Sequence, residues 1–285
     1  MARARIVSLR ISFIGCAFWI AANIGLIADP MGDLKQSLTS ADPAVRAGAI
    51  EKFVISLGTV NGQAFMVPSV PVLVDALNDP NAKVRLYAIS GLRGVLFLHS
   101  PLLYRSLPPA QNPSTAPTLK PALLKSTSDT EPEIRQLALE AYAVTYKLTP
   151  DLEDKVIAEF RSPGSGLPHQ ESQKPALMES LMLNRDASPH AVDFLSKLLD
   201  DPRWAPHVAN AMASDNCPLP DTVLPKLATL LAQDKDAVNR AAYARAIGSY
   251  GKRAHSYRPQ LEAALASETD DVTKQNIQHA LNQIQ

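Results

Sequence analysis

In five places along this chain a leucine that opens one apolar stripe is followed eleven residues later by the valine or isoleucine that opens the next: Leu34 and Val45, Leu73 and Val84, Leu123 and Ile134, Leu227 and Val238, Leu261 and Val272. Leu34, Leu73, Leu227 and Leu261 each have a second leucine four residues on, at Leu38, Leu77, Leu231 and Leu265. That spacing places both on one face of a helix. Val45, Val84, Ile134 and Val238 are each followed four residues later by alanine, at Ala49, Ala88, Ala138 and Ala242. These mark a second helix whose small side chains let neighbouring helices approach closely. Between the two helices lies a turn phrase: Asp42-Pro43, Asp79-Pro80, Glu131-Pro132 and Asp201-Pro202. An acid before proline reads as an N-cap followed by the first helical residue, with the carboxylate accepting from exposed amides and the proline presetting φ. The acid, held out of the helical region by the proline, also ends the preceding helix. A proline two residues before the first-helix leucine, at Pro71, Pro121, Pro225 and Pro259, adds an entry turn or kink.

Each unit is thus a pair of antiparallel helices. Such a pair cannot bury its apolar stripe alone, and stacking supplies the missing partner. Five units are clear, and two weaker ones fall at about 152–184 and 188–216, where Trp204 and Val208 take the valine and alanine places. Few glycines (12) and many prolines (23) suit short helices punctuated by rigid turns. The expected fold is all-α, with a single solenoid over residues 29–285.

A helix pair joined by an Asp-containing turn, with Val-Arg opening the second helix, resembles HEAT repeats, relatives of the armadillo and bilin-lyase HEAT-like repeats. Asp79 with Val84-Arg85 and Asp129 with Ile134-Arg135 carry the resemblance best; Val45-Arg46 follows it with a closer Asp42. Val238 departs from it, with Asn239 before Arg240, and so does Val272, followed by Thr273-Lys274. The resemblance implies a right-handed α-solenoid of about seven antiparallel pairs. It also implies an aspartate–arginine ladder between adjacent units, which makes Arg46, Arg85 and Arg135 structural. The amide-rich end, "TKQNIQHALNQIQ", reads as a terminal repeat with a polar outer face.

Two stretches interrupt the array. Residues 99–121 contain Pro101, Pro108, Pro109, Pro113, Pro117 and Pro121 and are expected to be a non-helical excursion. Residues 161–172, "RSPGSGLPHQES", are expected to form a second loop. Such insertions either join a binding face or are tolerated excursions.

The first 28 residues differ from the rest. Arg3, Arg5 and Arg10 precede an uncharged apolar run from Ile11 to Ala28, the pattern of a signal peptide or, if uncleaved, a signal anchor. The chain is therefore expected to be exported, periplasmic or secreted. Cleavage would leave 25 basic against 28 acidic residues and Cys217 without Cys16. A lone cysteine closes no intrachain disulfide, so a structural thiol is expected. Phe13 three residues before Cys16 argues against a lipoprotein box.

No catalytic constellation emerges. His99, His169, His190, His207, His255 and His279 are scattered, with no helical zinc pair, HExxH, CxxC or phosphate loop. Ser249 to Lys252 spells S-x-x-K and Ser214-Asp215-Asn216 spells S-D-N, but in the wrong order for a penicillin-recognising site and without K-T-G. Asp200-Asp201 and Asp270-Asp271 read as caps, Gly164-Ser165-Gly166 lacks a strand before it, and Met178 and Met182 read as core. The expectation is no catalytic residue, no metal, no cofactor and no named binding residue. The leading function is a non-enzymatic scaffold binding a protein or peptide on its concave, second-helix surface. A bilin-lyase-like enzyme or accessory is the alternative, and nucleic acid is disfavoured by the balanced charge. A membrane partner is expected only for an uncleaved N-terminal segment. Tyr87, Tyr142, Tyr146, Tyr243 and Trp204 fall in second helices or at their starts, where they either anchor a partner or pack between units.

Overall fold

The computed structural model describes residues 30–57, 65–98, 116–162, 168–182, 187–213 and 219–285. The N-terminal apolar run, Cys16, Cys217, Ser214-Asp215-Asn216 and Gly164-Ser165-Gly166 lie outside them. Among the described residues there are fourteen α-helices, in consecutive pairs as the spacing predicts. They are α1 (Pro30–Leu38) with α2 (Pro43–Leu57), α3 (Met66–Ala76) with α4 (Ala82–Leu98), and α5 (Leu119–Ser126) with α6 (Pro132–Thr145). Then follow α7 (Pro150–Arg161) with α8 (Pro168–Met182), α9 (Pro189–Leu198) with α10 (Ala205–Met212), α11 (Leu224–Gln233) with α12 (Ala237–Ser249), and α13 (Arg258–Ser267) with α14 (Asp271–Gln283). The weaker units expected near 152–184 and 188–216 are the α7–α8 and α9–α10 pairs. None of these helices is long and apolar enough to cross a membrane.

The chain divides into two compact units, with the last boundary along the sequence between Ala122 and Leu123, inside α5. In the first, α1 packs on α2, α3 on α4, and the second helices α2 and α4 lie side by side. In the second, the second helices form a continuous row, α6 on α8, α8 on α10, α10 on α12, and α12 on α14. The first helices of that unit form the other layer, with α7 against α9 and α11 against α13. The core lies between the layers: Leu73, Val84, Ala88, Ile89 and Leu92 are fully buried in one unit, and Leu177, Val208, Leu227, Ile247 and Ile277 in the other.

Both interruptions are shorter than expected. The excursion expected through residue 121 ends before α5, which takes in Leu119 to Pro121; proline in a first turn loses no hydrogen bond. The loop expected over 161–172 gives way at both ends. Arg161 closes α7 and Pro168 opens α8, again as a first-turn proline.

The joints follow one chemistry. A carboxylate oxygen accepts from the backbone N–H two residues on: Asp42 from Ala44 at 2.8 Å, Asp79 from Asn81 at 2.8 Å, Asp129 from Glu131 at 3.0 Å, Asp201 from Arg203 at 2.9 Å, Asp234 from Asp236 at 2.9 Å. These are Asx turns, in which a short acid side chain substitutes for a backbone acceptor. The acid-before-proline reading is correct for Asp42 but not for Glu131, which makes no cap bond; Asp129, two residues earlier, closes that joint. Pro80 and Pro202 lie in the turns ahead of α4 and α10 rather than at the first helical position.

The alanine reading extends to glycine. A Cβ on Gly248 of α12 would stand 2.9 Å from the Cα of Ala280 in α14, and one on Gly91 of α4 would stand 2.7 Å from a methyl of Val54 in α2. The second helices touch there with no room for a side chain.

Candidate functional site

Four arginines at the starts of second helices share one task. Each sends Nη1 back to the carbonyls of its own joint: Arg46 to Ser40 and Ala41, Arg85 to Asp79 and Pro80, Arg135 to Asp129 and Thr130, and Arg240 to Asp234. Among the described residues, Arg46, Arg135 and Arg240 also grip an acid of the following unit. Arg46 forks onto Asp79 at 2.7 and 2.9 Å. Arg240 forks onto Glu268 at 2.7 and 2.8 Å, and Arg135 donates through Nε to Glu159. Bidentate guanidinium–carboxylate pairing fixes geometry as well as adding energy. The Arg46 bond holds the Asp79 carboxyl below the usual range, and the Arg240 bond, aided by the Thr269 and Asp270 amides, pulls Glu268 down to about 2.

The ladder implied by the resemblance is therefore present at Arg46 and Asp79. At Arg135 and Arg240 it uses glutamates, which the motif did not point to, and Arg240 is the arginine that the spacing placed one residue late. That extra residue matters. Aligning α12 on Arg240 rather than on Val238 puts Tyr243, Ala244 and Ile247 in the places of Ala88, Ile89 and Leu92, all of them buried. Val238 is then displaced from the core and 64% exposed. Val272 is shifted in the same way: Thr273 takes the buried position, and Val272 is 64% exposed. Both valines lie two residues past an N-cap aspartate, Asp236 and Asp270, in a first helical turn that faces outward. Val45, in α2, is also 47% exposed. Of the five landmark residues, Val45, Val238 and Val272 are therefore exposed, whereas Val84 and Ile134 are buried.

The displaced valines are neighbours of an unusual polar group. Arg245 stands seven residues after Val238 on α12, hence on the same face. Its Nη1 donates to Asn276 Oδ1 of α14 at 3.1 Å and its Nη2 to Asn210 Oδ1 of α10 at 2.6 Å. Asn276 is oriented by its own Nδ2, which donates to the Val272 carbonyl at 2.7 Å. Among the described residues no carboxylate forms an ion pair with Arg245, and burial pulls its pKa below the ordinary guanidinium value. Three adjacent second helices thus converge on one half-buried cation held by two neutral amides, with exposed Val238 two turns away on the same face of α12 and exposed Val272 one turn before Asn276 on α14.

Among the described residues, nothing else singled out in the sequence forms a site. Tyr142 and Tyr243 are buried, and Tyr243 donates to Asp234 at 3.1 Å. Tyr146 lies tilted against Tyr142 at the end of its own helix, with ring centroids 5.1 Å apart, and Trp204 packs edge-on to Phe160 of α7. His190 bonds Asp154, His255 bonds the Ile284 carbonyl, and Met178 and Met182 are core. Asp200 pairs with Lys226, Asp201 with Arg203, and Asp270 caps α14. Among the described residues no three His, Cys, Asp or Glu side chains gather as metal ligands. Sequence reasoning missed Arg245, Asn210 and Asn276. Their spacing of about one repeat was a readable signal, but only Asn276, which stands at the alanine place four residues after Val272, lay on a landmark position.

The helix pairs, the joint-closing aspartates and the arginine forks decide the architecture. The fold is an α-solenoid of HEAT/armadillo-type repeats. An engineered protein of known crystal structure shares it at TM-score 0.57 and 20% identity, over 88% of this chain and 67% of the other. A designed armadillo repeat protein in complex with the peptide (KR)4 aligns at TM-score 0.42 and 16% identity, over 88% and 98%. A mutant of Kap121p aligns at TM-score 0.41 and 13% identity, over 93% of this chain and 30% of that one. No protein-family model matches the sequence, and no curated protein matches it.

Proposed function

We propose that this solenoid is an exported, non-enzymatic scaffold that holds a protein or peptide partner on the second-helix face of α10, α12 and α14. The observation that carries the reading is the pair of valines, each 64% exposed, on the same second-helix face as a guanidinium that has no acid partner among the described residues. An isolated exposed valine needs no explanation. Two in equivalent positions on adjacent helices, bordering a partly desolvated cation, offer apolar anchors next to a directional donor, the composition of an interface centre. Burial of each valine contributes about 1–1.5 kcal/mol. Export rests on the basic residues Arg3, Arg5 and Arg10 ahead of the apolar run at Ile11 to Ala28.

The test uses the full chain as bait in an envelope extract of its source cell, alongside the double variant Val238→Asp, Val272→Asp. A partner identified by mass spectrometry, rebound when purified and lost with the double variant at unchanged helicity, supports the reading. Retention of every captured protein by the double variant refutes it.

A further inference from the structure

We infer that the Arg245 site recognises an acidic side chain in an extended segment of the partner, set about three residues from an apolar side chain that packs on Val238 or Val272. This inference rests on the scaffold reading and names the chemistry of its ligand. Arg245 has five N–H groups. Two are spent on neutral amide oxygens, Asn276 Oδ1 and Asn210 Oδ1, which orient the guanidinium without neutralising it. Among the described residues the other arginine forks, at Arg46, Arg203 and Arg240, each close on a carboxylate. Arg245 has the same fork, is half-buried, and has no carboxylate among the described residues. A cation already stripped of part of its water and already held in place gains more from an arriving carboxylate than a freely solvated one does.

The geometry sets the ligand's spacing. Val238 and Arg245 are seven residues apart on one helix face, about 10 Å at the α-helical rise. An extended chain advances about 3.3 Å per residue, so an apolar contact at Val238 and a carboxylate at Arg245 are three residues apart. A nucleic acid is the less fitting anion. One arginine between asparagines and valines is not the basic stripe that tracks a phosphate backbone.

The test is a double-mutant cycle on the full chain, read by fluorescence anisotropy. The probes are a labelled ten-residue Gly/Ser peptide with a leucine three positions before a glutamate, the same peptide with glutamine there, and a labelled oligothymidylate. The glutamate peptide should bind about tenfold or more tighter than the glutamine peptide, the scale of a charge-assisted hydrogen bond. With Arg245→Gln that preference should fall to within about twofold. Asn276→Asp is the second variant: it keeps Arg245 but places a carboxylate where Asn276 Oδ1 now accepts. It should abolish the preference while leaving the melting temperature equal or higher, an outcome that a merely structural Arg245 does not produce. Equal binding of the two peptides overturns the acidic inference and leaves the scaffold reading standing. So does a preference that survives both variants, or tighter binding of the oligothymidylate. If neither peptide binds up to about 1 mM, a level of affinity near 4 kcal/mol, the inference also fails. The scaffold reading fails separately, through the extract experiment with the double valine variant.

Discussion

Replacing Glu268 with glutamine should destabilise the C-terminal unit, and the size of the effect should depend on pH in a defined way. The Glu268 side chain is 2% exposed and that of Arg240 is 20% exposed. The carboxylate accepts from Arg240 Nε at 2.7 Å, Arg240 Nη2 at 2.8 Å, Thr269 N at 2.8 Å and Asp270 N at 3.0 Å. These donors lower its pKa from the ordinary 4.5 to about 2, with the Arg240 bond the largest cause. The full shift corresponds to about 3 kcal/mol, and screening at the solvent-facing side of Arg240 brings the expected contribution to about 1–2 kcal/mol. Because the folded pKa is depressed, this stability is fully present above about pH 4.5 and is lost as pH falls toward about 2. Glutamine retains the shape but turns an N–H toward the Arg240 donors, and it does not titrate. Urea denaturation of the wild type and Glu268→Gln at pH 7, 5, 4 and 3.5 should therefore show a constant gap down to about pH 5, then a narrowing one. A gap that stays constant down to pH 3.5 would refute the ion-pair account of this joint.

Gly248→Ala should cost about 1–3 kcal/mol, because its Cβ would stand 2.9 Å from the Ala280 backbone. A thermal melt checks it, and an unchanged melting temperature contradicts it. Asp79→Asn should cost about 1 kcal/mol by halving the Arg46 fork and weakening the Asx turn to Asn81, read by chemical denaturation against an Arg46→Met control. Burial and the bond to Asp234 push the Tyr243 phenol above its ordinary value, so it stays protonated in the fold as pH rises past 10. Its stabilising effect then declines above that pH, and Tyr243→Phe should remove one step from the far-alkaline ultraviolet titration. For export, N-terminal sequencing of the protein recovered from the envelope fraction should begin near Asp29; recovery only from the cytoplasm with the apolar run intact contradicts that proposal.

The helix pairs were legible because they are dictated by spacing that survives sequence divergence. The Leu-to-Val interval of eleven gave all five clear pairs, and Asp-Pro phrases marked where the chain turns. Register within a helix was less legible. One residue of slippage moves a side chain by about 100°, so Asn239 before Arg240 was enough to turn Val238 outward while the repeat still looked intact. Glu159 escaped because it lies within α7 rather than in a joint, and Glu268 because it is a glutamate where the motif has aspartate, although it accepts from the amide two residues on as Asp79 does. Arg245 escaped for a more basic reason. Its neighbours Asn210 and Asn276 lie about one repeat away on either side, and only the stacking of three helices shows that they meet.

The account's central claim is that the exposed face of α10, α12 and α14 holds a partner. The most direct measurement is site-specific photocrosslinking of the full chain in its source cells, with the photoreactive residue at Val272 on this face or at Thr229 on α11 in the other layer. The account predicts one reproducible adduct from position 272, reduced by Arg245→Gln and absent from position 229. Equal adducts from both positions, or an adduct from position 229 alone, would contradict it.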